Sequence, residues 1–285
     1  MHTFIFSIVF SVSVSVFLKL ARRWEVDVAQ AIAAGYIAAS ALCLLLLRPS
    51  LGTLLAQSAM GWGILVLLGV LLPAVFLVMA AAVRHAGIIR SDTAQRLSLV
   101  IPLAAAFLIF GESMLPKKLV GIALALCALG CLLQRQEQAV EPADTGRRAL
   151  WALLGVWVGY GVIDILFKQM ARLGAGFTST LLLSFVLAAL LIFGWLIARR
   201  RTRWNARSLG AGLLLGVLNF GNIFFYIRAH QYFPDDPTLV FASMNIGVIS
   251  LGALVGAGFF HERLSRVNML GIVLAIGAIV LLFPK

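Results

Sequence analysis

Composition, run length and the placement of charge point to an all-α protein that crosses the membrane many times. The chain has 285 residues, of which 62% are hydrophobic and only 12% charged. Its mean hydropathy is +1.02. Soluble domains carry roughly 25% charge, and a water-exposed surface cannot be built from half that amount. Apolar stretches of about 20 residues recur in both halves of the chain, the length that crosses a hydrocarbon core of about 30 Å. The net charge of +12 comes from basic residues gathered at the ends of those stretches, where the positive-inside rule expects them. Together these exclude a soluble enzyme, a nucleic-acid-binding domain and a disulfide-stapled secreted module.

The apolar runs parse into ten helices. In the first half they are expected at 3–20, 30–47, 60–83, 93–111 and 118–133; in the second, at 151–171, 177–198, 208–227, 238–260 and 267–283. The first lacks a basic leader and a small-residue cleavage site before Arg22-Arg23, so it reads as a membrane helix and not a signal peptide. The longest polar stretch, Gln134–Arg148, contains Pro142 and Gly146. The chain therefore divides into 1–133, a polar linker at 134–150, and 151–285.

The halves resemble each other. At a constant offset of 150, Phe110, Glu112, Gly121, Ile122, Leu124, Ala125, Ala128 and Leu132 match Phe260, Glu262, Gly271, Ile272, Leu274, Ala275, Ala278 and Leu282. In the same register Thr93 and Gln95 match Ser243 and Asn245. Such self-similarity marks duplication. Because five is odd, the second half enters the membrane in the opposite sense, and inverted repeats of this kind are a transporter signature. Sixteen of the 23 Lys and Arg residues fall in the odd-numbered connectors, which places both termini outside the cytoplasm.

An ionisable group inside a membrane helix costs roughly 2.5–3.5 kcal/mol on insertion scales, so each one calls for a reason. In chain order, Gln95 and its repeat partner Asn245, with Ser243, lie just inside the membrane and suit a cavity lining; Arg96 beside Gln95 reads equally as an interfacial anchor. Pro102 frees a carbonyl and can kink the fourth helix. Glu112 and Glu262 end the fourth and ninth helices, where a carboxylate can accept from the N-terminal N–H groups of the following helix. Asp164 is the deepest charge, and Lys168 four residues on can pair with it. The two read as a substrate or coupling-ion site, or as an ion pair with Lys168 reaching back to the interface. Asn219, Asn222 and Tyr226 form one polar stripe on the eighth helix, either a binding wall or a set of interhelical hydrogen bonds worth about 0.6 kcal/mol each.

Other features point to packing. Ser7, Ser11 and Ser15 repeat every four residues, and Gly155/Gly159, Gly212/Gly216 and Gly252/Gly256 are GxxxG pairs that let backbones approach. Cys43, Cys127 and Cys131 read as buried, reduced packing residues. His85, His230 and His261 sit at expected helix ends with no metal spacing. Trp24, Trp62, Trp151 and Trp204 lie near expected ends, as an aromatic belt requires. No catalytic motif is present, and Asp235-Asp236 between prolines reads as a turn.

Phe110-Gly-Glu112…Gly121 and Phe260-His-Glu262…Gly271, set within ten expected helices, resemble the drug/metabolite transporter superfamily, in particular its EamA-type permeases related to the rhamnose-transporter group. His261 stands where that pattern has glycine. The resemblance implies a ten-helix basket with a central cavity, lined in part by Gln95, Asp164, Asn222 and Asn245. It also implies cytoplasmic termini, opposite to the charge count. The expectation is a secondary-active transporter in a bacterial-type inner membrane, exporting a small polar or amphipathic metabolite, with protons as coupling ion and Asp164 as carrier. A flippase, or flippase subunit, for a lipid-linked carrier is the alternative. Expected partners are the small-molecule substrate and membrane lipids, with no nucleic acid, cofactor or metal, in a monomer or homodimer.

Overall fold

The computed structural model describes residues 2–50, 52, 58–133, 146–199, 202–260 and 265–283. Its elements are α1 (His2–Arg23), α2 (Val28–Leu42, continued by a π-helical turn over Cys43–Leu47), α3 (Ala59–Ala86), α4 (Ile88–Leu97), α5 (Val100–Leu108), α6 (Pro116–Leu133), α7 (Arg147–Ala171), α8 (Phe177–Ala198), α9 (Ala206–Tyr232), α10 (Pro237–Phe260) and α11 (Arg266–Leu282). Among the described residues there is no strand. This follows from the solvent: hydrocarbon offers backbone groups no partner, so each helix satisfies its own.

The ends have local causes. Asp27 caps α2 by accepting from the Ala29 and Gln30 amides, and Ser265 with Asn268 forms a capping box on α11. Pro116 and Pro237 occupy first helical positions, where their missing N–H costs nothing. The turn after α5 passes through Gly111 at φ +69°, a conformation that glycine reaches without a Cβ clash. Four residues assigned to the polar linker, Arg147–Leu150, instead begin α7; residues 134–145 of that linker lie outside the described residues.

The fourth expected helix is two. It starts earlier than expected, at Ile88, and is interrupted at Ser98-Leu99. Pro102 has no N–H to return to the Ser98 carbonyl, which accepts from Ile101 at 3.0 Å instead. Among the described residues seven helices are long and apolar enough to cross a membrane, and two apolar stretches, His2–Leu18 and Arg266–Leu282, are shorter. Large apolar side chains such as Leu190, Val273 and Val280 remain exposed, which in this solvent is a lipid-facing surface.

The chain forms two compact units that each draw on both halves of the sequence. One comprises Met1–Val9, Val78–Ile165 and Tyr232–Lys285; the other comprises Phe10–Leu77 and Leu166–Gln231.

The first unit is built on α6 and α11, with α10 packed against both and against α5. The α6–α11 contact is reciprocal. Gly121 lies against Leu282, and Gly271 against Leu132. Lys117 Nζ donates to the Phe283 carbonyl at 3.0 Å, and Asn268 Nδ2 donates to the Cys131 carbonyl at 3.0 Å. The start of each helix thus meets the end of the other, so the two run antiparallel.

The second unit packs α2 against α8 and α9. A methyl group on Gly212 would strike Ala31, and one on Gly216 would strike the Gly35 backbone. This glycine pair therefore sets a close crossing of α2 and α9, whereas Gly252 has open space around it. Of the three cysteines Cys43 is buried but Cys127 is exposed, so Cys127 is not a core packing residue.

Candidate functional site

The interruption of α4–α5 organises the polar groups of the first unit. The Leu97 carbonyl accepts from Trp157 Nε1 of α7 at 3.1 Å, and Ser98 Oγ donates to the Gln95 carbonyl at 2.6 Å. Both bonds supply partners where the helical ladder fails. Four residues after Trp157 a methyl group on Gly161 would run into the Ile101 side chain, so glycine lets α5 come close. Trp157, Gly161 and Asp164 share one face of α7, with Tyr160 beside them.

Asp92 and Arg96, one turn apart on α4, form an ion pair at 3.6 Å. The charges of Arg96, Asp92 and Asp164 all act on the Tyr160 phenol. Gln95 and Asp164 are half-buried. On α10 the Ser243 hydroxyl is buried with no hydrogen-bond partner among the described residues. Asn245 Nδ2 donates to its own helix at the Phe241 carbonyl, 3.1 Å away.

Glu112 has a partner other than the expected one. Its Oε2 accepts from the Thr238 amide of α10 at 2.9 Å, and not from the helix that follows it. Its Oε1 meets Lys118 Nζ at 2.8 Å, and the same ammonium reaches Asp236 Oδ1 at 2.6 Å. The carboxylate caps a helix more than a hundred residues away because the Gly111 turn brings it to the start of α10. Asp236, expected only as a turn residue, completes this ion triad. Glu262 lies outside the described residues.

In the second unit Lys168 is 2% exposed. It does not snorkel, and its charge acts on His230 of α9. His230 is 1% exposed, because α9 runs on to Tyr232, beyond its expected end. Its ring stands edge-on to Tyr226, with centroids 5.0 Å apart; Tyr226 in turn meets Phe167 at 6.0 Å. Asn219 and Asn222 are half-buried on the same helix. Tyr226 thus packs against His230, which stands in the last turn of α9, at a helix end as expected from the sequence.

A buried polar residue missed in the sequence is Gln30. Its Nε2 donates to Asp27 Oδ2 at 3.0 Å and to the Arg203 carbonyl at 2.9 Å, while its Oε1 accepts from the Asn205 amide at 3.0 Å. The signal that could have found the α7 face was present: Trp157, Tyr160, Asp164 and Lys168 follow helical spacing on an otherwise apolar run. Among the described residues no group of three His, Cys, Asp or Glu could hold a metal ion.

Long apolar helices, lipid-facing surfaces and buried polar groups define a multi-pass helical membrane protein. The chain belongs to the EamA-like transporter family, whose sequence model matches residues 147–283; this is a family of transporters, not of enzymes. An uncharacterized protein of Haemophilus influenzae is 49% identical over 288 residues, covering 99% of this chain and 98% of that protein. Together with the spanning helices, this bacterial relative places the chain in a bacterial inner membrane. A solved crystal structure shares the fold with a TM-score of 0.76 at 15% identity, over 98% of this chain and 94% of that one.

Proposed function

We propose that the protein is a secondary-active transporter that exports a small polar or amphipathic metabolite by alternating access. Its two inverted five-helix repeats are residues 1–133 and 151–285. The reciprocal α6–α11 contact carries this reading. When residue i of one segment touches j of another, and the equivalents of j and i touch in return, the segments are related by a two-fold axis. Gly121/Leu282 and Gly271/Leu132 are such a pair of contacts, because Gly121 and Gly271, like Leu132 and Leu282, are equivalent positions at the offset of 150. Between antiparallel helices that axis runs across them, which for membrane helices means in the membrane plane, as inverted repeats require.

The substrate-binding set is Gln95, Asp164, Asn219, Asn222, Tyr226, Ser243 and Asn245. Asp164, with Lys168 one turn on, carries the coupling proton. Glu112 serves structure, as does Glu262. The polar character of the set, buried at Tyr226 and Ser243 and half-buried at the others, supports this assignment, since each costs free energy in a membrane domain unless it is used.

Thermal unfolding of the purified protein against amino acids, sugars, cationic drugs and lipid-phosphate analogues tests the reading. A ligand present at 100 times its Kd stabilises by about 2.7 kcal/mol. The expected result is a saturable shift from one soluble class, lost in Asn222→Ala. In proteoliposomes Asp164→Asn should abolish uptake driven by a pH gradient; retained pH-driven uptake removes the coupling role. Stabilisation by lipid-phosphate analogues alone replaces the exporter with a flippase.

A further inference from the structure

Arg96 stands in the last turn of α4, immediately before the helix breaks at Ser98-Leu99. Its side chain is 19% exposed and that of Asp92 30%. The pair's recorded contact is from Nε to Asp92 Oδ1, at 3.6 Å. Among the described residues neither terminal nitrogen of the guanidinium has a hydrogen-bond partner. Two residues one turn apart on the same helix meet side-on, so Asp92 does not engage the planar fork as a bidentate acceptor would. A guanidinium withdrawn from bulk water with its fork open suits a planar acceptor with two oxygens.

The surroundings narrow the acceptor further. Trp157 is held by its indole N–H on the Leu97 carbonyl, which fixes an aromatic surface next to the residue that follows Arg96. Tyr160 lies one turn along α7, in the field of Arg96, Asp92 and Asp164. Asp92 already sets one negative charge beside Arg96. A dianion such as a phosphate monoester is repelled by it about twice as strongly as a monoanion. A monoanion, above all one that carries its own positive charge, satisfies Arg96 at the smaller penalty.

We propose that Arg96 binds the carboxylate group of the transported metabolite, with Asp92 holding the guanidinium in place when no substrate is bound. This rests on the transporter reading and adds to it a substrate class: compounds with a single carboxylate and an apolar or aromatic body that packs on Trp157 and Tyr160. Ligands bearing an ammonium group as well would place it toward Asp164.

The test is thermal unfolding of the full-length protein in detergent with the twenty amino acids, their methyl esters, short and aromatic monocarboxylates, sugars and inorganic phosphate. At least one free carboxylate is expected to stabilise saturably, while its methyl ester does not. Arg96→Lys should weaken that ligand by about tenfold, because an ammonium cannot replace the fork, and Arg96→Gln should abolish its effect. Asp92→Asn should bind it as well as wild type or better, since the internal competitor loses its charge. A purely structural Asp92–Arg96 pair would instead make Arg96→Gln and Asp92→Asn equivalent, and that equivalence overturns the assignment. Equal stabilisation by acid and ester overturns it too, as does stabilisation by phosphate alone. Shifts confined to sugars overturn the carboxylate while leaving the transporter reading intact. Because each variant's unfolding is also read without ligand, a folding defect is separated from a binding defect, and Arg96→Lys keeps the charge if Arg96→Gln does not fold.

Discussion

Gln30 in one unit and Glu112 in the other are both sealed from the surroundings, and each ties distant stretches of chain together. Gln30 works through a neutral amide. It gives two N–H bonds and accepts one, joining Asp27 to the backbone at Arg203 and Asn205. Glu112 works through a carboxylate whose side chain is wholly buried. A buried charge demands a counter-charge, so Lys118 is drawn in, and Lys118 also serves Asp236 at the rim. The amide network is complete within its own geometry. The carboxylate network stands only while its lysine does, and its three ionised groups sum to a single negative charge.

Glu112→Ala should have the largest effect. Lys118 would keep only Asp236, and the Thr238 amide would lose its acceptor. Removing one partner of a buried pair costs about 3 kcal/mol, to be read as a fall in the unfolding temperature in detergent. Gln30→Leu should cost less, about 2 kcal/mol, since it strands one backbone carbonyl and one backbone N–H, while Asp27 loses one donor and keeps its two backbone amides. Its effect should not change with salt. Trp157→Phe keeps an aromatic six-membered ring but removes the indole N–H and its bond to Leu97, at a cost of about 1 kcal/mol. Asp236→Asn should cost least, about 0.5 kcal/mol, because Asp236 is the outermost member of its network. That small loss should shrink as salt rises and screens the native pair. If Glu112→Ala proves no worse than Asp236→Asn, the buried carboxylate is not the centre of the triad.

Much of the fold was legible because membrane helices are written locally. The expected helix at 177–198 matches α8 at both ends, since its boundaries follow from an apolar run between Gly176 and Arg199. The fourth helix was harder. Pro102 announced a disturbance, yet the break at Ser98-Leu99 also depends on Trp157, sixty residues away in sequence, to satisfy the Leu97 carbonyl. The end of α9 was expected at 227 and lies at Tyr232, with His230 in its last turn. Gln30 was invisible for a different reason: two of its partners lie 173 and 175 residues along the chain.

The candidate site divides the same way. Asp164, Asn222 and Tyr226 stood out as polar residues on apolar helices, a property of sequence alone. Nothing in the sequence distinguished Arg96 from the other basic residues at helix ends. Its half-buried ion pair with Asp92, and its share in the field at Tyr160, become visible only when α4 and α7 lie side by side.

The membrane class, the apolar runs that become helices and the likeness of the two halves all follow from the sequence alone. Each depends on hydrophobic run length or on residues compared along one chain, and in hydrocarbon a helix closes its hydrogen bonds within itself. Only the tertiary structure decided which helix Glu112 caps, what mends the broken α4–α5 ladder and which basic residue presents an open fork. Those outcomes require partners from distant segments, and helix packing alone brings them within the few ångströms over which hydrogen bonds and ion pairs act.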